Sequence, residues 1–394
     1  MKNNRTFLEK LLDGAEVEWK TLDEISSIYG GLTGKGKADF ENGNALYVPY
    51  KNIFNNIEID FNNLEAVNVS DDERQYTIKY GDVLFTGSSE TAEEAGMSSV
   101  VTTKTEQKIY LNSFSFGLRF NDDVELLPEF SKFLFRTLSI RKEIVKSASG
   151  VTRFNISKAR FKKIKIPIPP LPVQTEIVKI LDTLTVLTSE LTSELTLRRK
   201  QYEYYREKLL SEEELGKIGV QWKALGEIVP ISRGKRLIRS QLKDNDQYPV
   251  YQNSLQPLGY YDHKNCRAYM TFVIAAGAAG EIGFSNVEFW AADDCYYFDC
   301  ANKILHDKFL YYFLLSNKHL LTNQVRKASV PRLSRVSIEK IKIPIVSFKE
   351  QERIVAILDK FETLTHSITE GLPLAIGQSR KRYEYYRELL LNFS

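Results

Sequence analysis

Three stretches of this sequence combine cations with small residues in a way suited to gripping phosphate. Residues 141–165 (RKEIVKSASGVTRFNISKARFKKIK) hold nine basic side chains against one acid, Glu143. Residues 326–342 (RKASVPRLSRVSIEKIK) hold six against Glu339 alone. Residues 231–243 (ISRGKRLIRSQLK), with Arg233, Lys235 and Arg236, hold no acid, and an earlier counterpart contains Thr33-Gly34-Lys35-Gly36-Lys37. Small residues let backbone N–H groups approach a phosphate, and the cations displace its counterions. In the first two stretches a loop of small residues precedes a Val-x-Arg unit, Val151-Thr152-Arg153 and Val330-Pro331-Arg332. Asn155 and Arg335 follow closely. Base reading needs bidentate side chains, Arg for guanine and Asn or Gln for adenine. Tyr50-Lys51-Asn52 and Tyr251-Gln252-Asn253 align as polar groups at the end of a strand. The candidate nucleic-acid contacts are therefore Lys35, Lys37, Asn52, Arg153, Asn155, Arg233, Lys235, Arg236, Asn253, Arg332 and Arg335. A charge run can equally be a solvated face, and an asparagine can equally cap a turn.

Other chemistry finds little support. No Walker A sequence is present, and no glycine-rich pattern between strand and helix suits a nucleotide cofactor. The sole Pro-Pro pair, Pro169-Pro170, lies between Ile168 and Leu171 and lacks the Asn/Asp-Pro-Pro-aromatic form of an adenine methyltransferase. His263 with Cys266, and Cys295 with Cys300, lack zinc spacing. Asp293-Asp294 could hold a metal, but nothing in the first half corresponds. Three cysteines are too few for a disulfide framework, no apolar run reaches a membrane-spanning length, and the polar start is no signal peptide. A cytoplasmic address and no membrane partner are expected. The net charge of +3 over 394 residues neither demands nor excludes nucleic acid.

The elements that must position these residues occur twice. Residues 163–182 read KIKIPIPPLPVQTEIVKILD and residues 340–359 read KIKIPIVSFKEQERIVAILD, at an offset of 177. YEYYRE occurs at 202–207 and again at 383–388, an offset of 181. Val17-Glu-Trp-Lys-Thr-Leu22 answers Val220-Gln-Trp-Lys-Ala-Leu225, and Lys132-Phe-Leu-Phe135 answers Lys308-Phe-Leu-Tyr311. The EKLL at 9–12 also resembles the end of the repeated unit, so the chain reads like a ring opened at one place. Each half runs from short β-like segments to an amphipathic helix (129–146 and 308–326), a strand closed by proline, and a long helix. The first long helix carries apolar residues Ile177, Leu181, Leu184, Leu187, Leu191 and Leu195, then Tyr202, Tyr205 and Leu209, a mean step near the coiled-coil value of 3.5. The second breaks near 371–373, at Gly371-Leu372-Pro373.

The expected fold is α+β: two similar globules related by a pseudo-two-fold and separated by a long antiparallel helix pair, a coiled coil. The expected divisions are 1–172, 173–213, 214–346 and 347–394. Within the first helix LTSE is written twice in succession, at 187–190 and 191–194. One tetrad adds about 6 Å of helix and disturbs a heptad seam only modestly. If each globule touched one duplex, that length would amount to one or two base pairs, at about 3.4 Å each.

These markers, the proline-ended strand, the Gln-x-x-Ile-Val and Leu-Asp of both copies and the repeated YEYYRE, resemble the specificity subunit of type I restriction–modification enzymes, the HsdS family. The resemblance spans essentially the whole chain and implies a non-catalytic reader of double-stranded DNA with a bipartite target. Each globule would recognise one half-site, and the helices would set the spacer. It implies two methyltransferase subunits and restriction/translocase subunits as partners. S-adenosylmethionine, ATP and Mg would then belong to those partners, with no cofactor in this chain. Tyr202, Tyr205, Tyr383 and Tyr386 are candidates for seating the methyltransferases; packing of the helix ends is the alternative.

Overall fold

The computed structural model describes residues 7–41, 43–301, 303–327 and 329–393. The chain divides into two compact units, Met1–Glu190 with Gly377–Ser394, and Leu191–Ile376. The first is built on an antiparallel four-stranded sheet ordered Ser26–Gly30, Ser115–Phe120, Val83–Thr86, Ser98–Val100. Val83 and Phe85 alternate with Leu84, so opposite faces of this strand feed two different cores. On one face Phe161 meets Phe85 and Phe116 edge-on while Phe85 stacks on Phe116, with centroids 4.9–5.3 Å apart, under the helix Pro128–Leu134. A smaller sheet sets Ala45–Val48 between Glu65–Val67, antiparallel, and Ile109–Leu111, parallel. A third pairs Ala148–Ser149, Phe154–Ile156 and Ser88–Ser89.

The second unit repeats this plan. Its main sheet runs Ile231–Arg233, Cys295–Phe298, Met270–Ile274, Ile282–Ser285, and Tyr248–Tyr251 lies between Gly259–Tyr261 and Trp290–Ala291. The third sheet shrinks to isolated bridges, Ala276 with Arg332 and Arg332 with Arg326. The proline-bearing strands are equivalent: Pro167 opposes Trp19, and Pro344 opposes Trp222, each in a two-stranded ribbon where proline's missing donor is tolerated.

A buried glutamine fixes the start of the long helix in each unit. Gln174 Oε1 accepts from the Leu127 N–H (2.8 Å), while its Nε2 donates to the carbonyls of Glu125 (2.8 Å) and Pro169 (2.7 Å). Gln351 accepts from the His306 N–H (2.8 Å) and donates to Ile304 (2.8 Å) and Val346 (3.0 Å). Nearby, Lys132 pairs with Asp182 and Lys308 with Asp359, each at 2.8 Å. These are the Gln and Asp of the repeated sequence markers.

The first long helix is continuous from Leu171 to Leu209, 39 residues, or about 58 Å. In the first unit it runs antiparallel to the chain's final helix. Ile177 and Leu181 share a core with Leu390 and Tyr386, and further along Thr188 Oγ1 meets Ser379 Oγ at 2.8 Å. In the second unit Tyr202 and Leu209 pack with Phe361, Leu358 and Ile354, again antiparallel.

Three expectations about helices need correction. Leu187 is 39% exposed and Thr188 takes the inward place, because a 3.5-residue seam drifts around a 3.6-residue helix. The break in the second helix lies at 367–370, between Phe348–His366 and Gly371–Leu390, and Gly371–Pro373 opens the new helix. Gly371 has φ +78°, and a Cβ there would lie 2.6 Å from the Thr363 carbonyl. Pro373 sits in the first turn, where no donor is needed. The amphipathic helices are also interrupted, as Pro128–Leu134 then Leu138–Ser147, and as Asp307–Ser316 then His319–Thr322. Thr137 caps the second piece of the first pair by accepting from the Ile140 N–H.

Candidate nucleic-acid interface

In the first unit the strand Phe154–Ile156, central in its small sheet, carries the candidate Asn155, and Arg153 immediately precedes it. Its backbone is pinned by bridges to Ser88–Ser89 and by the Ile156 N–H donating to the Gly87 carbonyl (3.0 Å). Ile156 faces inward, so Asn155 faces outward and is exposed. The Arg153 guanidinium lies 5.5 Å from the centroid of Phe114, which is itself 60% exposed, and its Nε donates to Ser88 Oγ (3.3 Å). Tyr50 and Phe54 stack beside them, and Tyr50 Oη donates to the Ser88 carbonyl (2.8 Å). Together these groups line a cleft of about 540 Å³ with Glu90 and Glu94 on its wall. An aromatic floor and a stacked guanidinium suit a planar, electron-rich partner.

In the second unit Arg332 occupies the strand position equivalent to Asn155. The Leu333 N–H donates to the Ala275 carbonyl (2.8 Å), as Ile156 does to Gly87, and Arg332 bridges Ala276 as Asn155 bridges Ser88. The matching Val-x-Arg units of the sequence are therefore two residues out of register, and Arg153 answers Val330. The constant offset of 177, carried back from Ile166 and Ile343, identifies the true pairing. Arg332 is exposed and its side chain has no ion pair among the described residues. Arg335 is exposed but pairs with Glu339 (2.7 Å) one helical turn away. Arg233 Nε donates to the Asp293 carbonyl (2.6 Å), while Lys235, Arg236 and Asn253 are exposed.

Several candidates are placed otherwise than the sequence implied. Asn52 is 4% exposed; its amide donates to the carbonyls of Asp60 and Asn63 and accepts from the Asp60 N–H, so it staples a loop and cannot face a base. Lys35 is neutralised by Glu73 at 2.5 Å, with its side chain buried, and only Lys37 of that pair stands exposed. Lys35 helps hold the Glu73 carboxyl down at about 2. The basic run 141–165 is thinner than its count. Arg141 donates to the carbonyls of Glu93, Ala95 and Gly96, and its burial lowers its pKa to about 10. Lys146 pairs with Glu143, and Lys162 with Asp23.

The tyrosines are also redistributed. Tyr202 packs against Phe361 and His366, Tyr205 stacks on Phe361, Tyr383 leans on Phe133 and Tyr386 joins the same core. Tyr205 keeps 36% of its surface open beside its stack on Phe361, and Tyr204 and Tyr385, off the seam, are the most exposed, at 56% and 63%. Their signal was present in the sequence, as the residue of each YEYY that breaks the seam spacing. Phe114 and Ser88 carried no such signal.

The three cysteines are buried and unpaired, and burial pushes the Cys266 thiol up to about 12. No helix among the described residues is long and apolar enough to cross a membrane.

The fold defines a duplicated α+β protein, two modules built on one plan with the long helix Leu171–Leu209. Comparison with known proteins gives the family. The model of the type I restriction modification DNA specificity domain matches residues 15–197 and again 217–378. A type I restriction enzyme specificity subunit of Haemophilus influenzae is 38% identical over 418 residues, covering both chains completely. The specificity subunit of a type I restriction enzyme of Escherichia coli is 30% identical over 425 residues, covering 98% of this chain and 97% of its own. Among solved structures, a chain from a type I restriction–modification system aligns with a TM-score of 0.62, covering 96% of this chain and 98% of its own at 17% identity. The S subunit from M. genitalium aligns with a TM-score of 0.55, covering 97% and 98% at 17% identity. The chain belongs to the type I restriction enzyme specificity subunits, a family whose role is DNA recognition and not catalysis.

Proposed function

We propose that this subunit recognises a bipartite DNA target, each unit reading one half-site, with the helix Leu171–Leu209 setting the unspecified spacer. The observation that carries this reading is one skeleton used twice beneath two different exposed surfaces. The glutamine clamp and proline strand recur, while Arg153 with Asn155 in one unit gives way to Val330 with Arg332 in the other. Shared scaffold with varied surface is what two readers of different sequences require.

On this reading Arg153, Asn155, Lys37, Arg233, Lys235, Arg236, Asn253 and Arg332 meet the duplex, some at phosphates and some at bases. The chain directs two methyltransferase subunits and the restriction/translocase subunits, and S-adenosylmethionine, ATP and Mg are held by those partners. Tyr204 and Tyr385, rather than the packed tyrosines, offer the aromatic surface for the methyltransferases. Deleting residues 187–190 tests the reading. The methylated motif mapped across a host genome should keep both half-sites and lose one or two base pairs of spacer; an unaltered spacer overturns the ruler.

A further inference from the structure

Asn155 and Arg332 differ chemically, yet their backbones are held alike. Each lies on an extended segment bridged to the residue that follows Gly87 or Ala275. In each, the next residue, Ile156 or Leu333, turns inward and donates its N–H to that Gly87 or Ala275 carbonyl, at 3.0 and 2.8 Å. A third segment pairs on the other side: Ala148–Ser149 in the first unit, and Arg326 in the second, whose N–H donates to the Arg332 carbonyl at 2.8 Å. The backbone is thus fixed on both sides, and alternation along the strand sends both side chains outward.

Neither side chain is committed to the protein. The Asn155 amide makes one long hydrogen bond, 3.4 Å to the Arg153 carbonyl, and the Arg332 guanidinium makes none among the described residues. Several other cations of the two runs do have partners: Arg141 with carbonyls, Lys162 with Asp23, Arg335 with Glu339. An outward planar hydrogen-bonding group on a rigid backbone is what base-edge readout needs. An amide matches adenine N6 and N7, and a guanidinium matches guanine O6 and N7.

We infer that Asn155 and Arg332 are the same reading position in the two units, Asn155 selecting an adenine in one half-site and Arg332 a guanine in the other. The inference rests on the bipartite reading above and names the bases at one position of each half. Because the two sites share a backbone, the residue, and not its setting, decides the base. Exchanging them should exchange the preference.

The experiment uses the complete subunit assembled with its methyltransferase partner, a methyl donor and a pool of duplexes randomised across both half-sites. Asn155→Arg should replace an adenine requirement by guanine at one position of one half-site. Arg332→Asn should do the reverse at one position of the other. Each preference should shift on the order of tenfold to a hundredfold, with the spacer unchanged. Arg332→Lys keeps the charge but loses the bidentate fork, so it should relax that one position. If Lys behaves as wild type and Arg332→Asn lowers methylation equally on all sequences, Arg332 is a phosphate contact and the inference fails. If Arg332→Asn abolishes methylation, the Lys variant decides: relaxation at one position supports the inference, and an intact motif overturns it. For Asn155, the Gln variant serves the same purpose, and retention of the adenine with Gln is the supporting result. Both exchanges altering the same half-site would instead overturn the bipartite reading itself. A bipartite motif that neither exchange alters would overturn only this inference.

Discussion

The first unit buries an aspartate, held by an arginine and a tyrosine, where the second buries methionine. Asp82 receives two hydrogen bonds from Arg119, Nε to Oδ1 at 2.8 Å and Nη2 to Oδ2 at 2.6 Å, and a third from Tyr29 Oη at 2.5 Å. The guanidinium also lies 4.9 Å from the centroid of the Tyr29 ring. Strand register places Met270, Asp299 and Ser232 at the equivalent positions of the second unit. There the ionic contacts move outward, to Arg267 with Asp307 at 2.8 Å and Asp299 at 3.6 Å. Two interiors of different chemistry therefore support one sheet. The bonds common to both units are the glutamine contacts to the backbone and the lysine–aspartate pair at the helix start, whereas the network inside the sheet has changed.

The sharpest way to break this comparison is to remove the centre of the triad. Asp82→Ala should destabilise the first unit by about 3 kcal/mol, because it leaves a half-buried guanidinium without its carboxylate. Asp82→Met with Arg119→Leu, which imitates the apolar second unit, should cost far less. Hydrogen exchange in graded urea, followed on peptides of each unit, measures both. Equal damage from the single and double variants would show that the triad is packing and not compensated charge.

A smaller effect tests what the units share. Gln174→Ala and Gln351→Ala should each cost about 1–3 kcal/mol, since each leaves a buried N–H and two carbonyls without partners. Similar losses, each confined to its own unit, are expected. A loss in one unit alone would mean that the two glutamines are not the same device.

The smallest effect is one of pH. All four histidines lie in the second unit, and burial lowers the pKa of His306 and His366 below the ordinary imidazole value. The unfolded chain then binds protons more readily than the folded one, so their contribution is complete above about pH 6.5 and declines as pH falls through that value. Hydrogen exchange at pH 7.5 and 6.0 should show protection lost around His306 and His366 and retained throughout the first unit. Equal loss in both units would assign the acid sensitivity to other groups.

Much of this was legible in the sequence because a duplicated skeleton leaves a fixed offset. The repeat predicted the proline strands, the long helix and the second module. Side-chain fate was less legible. Asn52 looks like Asn253 on paper, but three hydrogen bonds to a loop eight to eleven residues on hold it inside. Lys35 finds Glu73 across 38 residues, a pairing no local pattern records. The Val-x-Arg likeness pairs Arg153 with Arg332, while the constant offset of 177, which the backbone bridges follow, pairs Asn155 with it.

The glutamine clamp has one more implication. All six of its hydrogen bonds end on main-chain atoms, those of Leu127, Glu125 and Pro169 in one unit and His306, Ile304 and Val346 in the other. Such an anchor is indifferent to the side chains of the segment it holds. Side chains of the clamped segments can therefore change without loosening the joint to the helix, and the frame needs no compensating change.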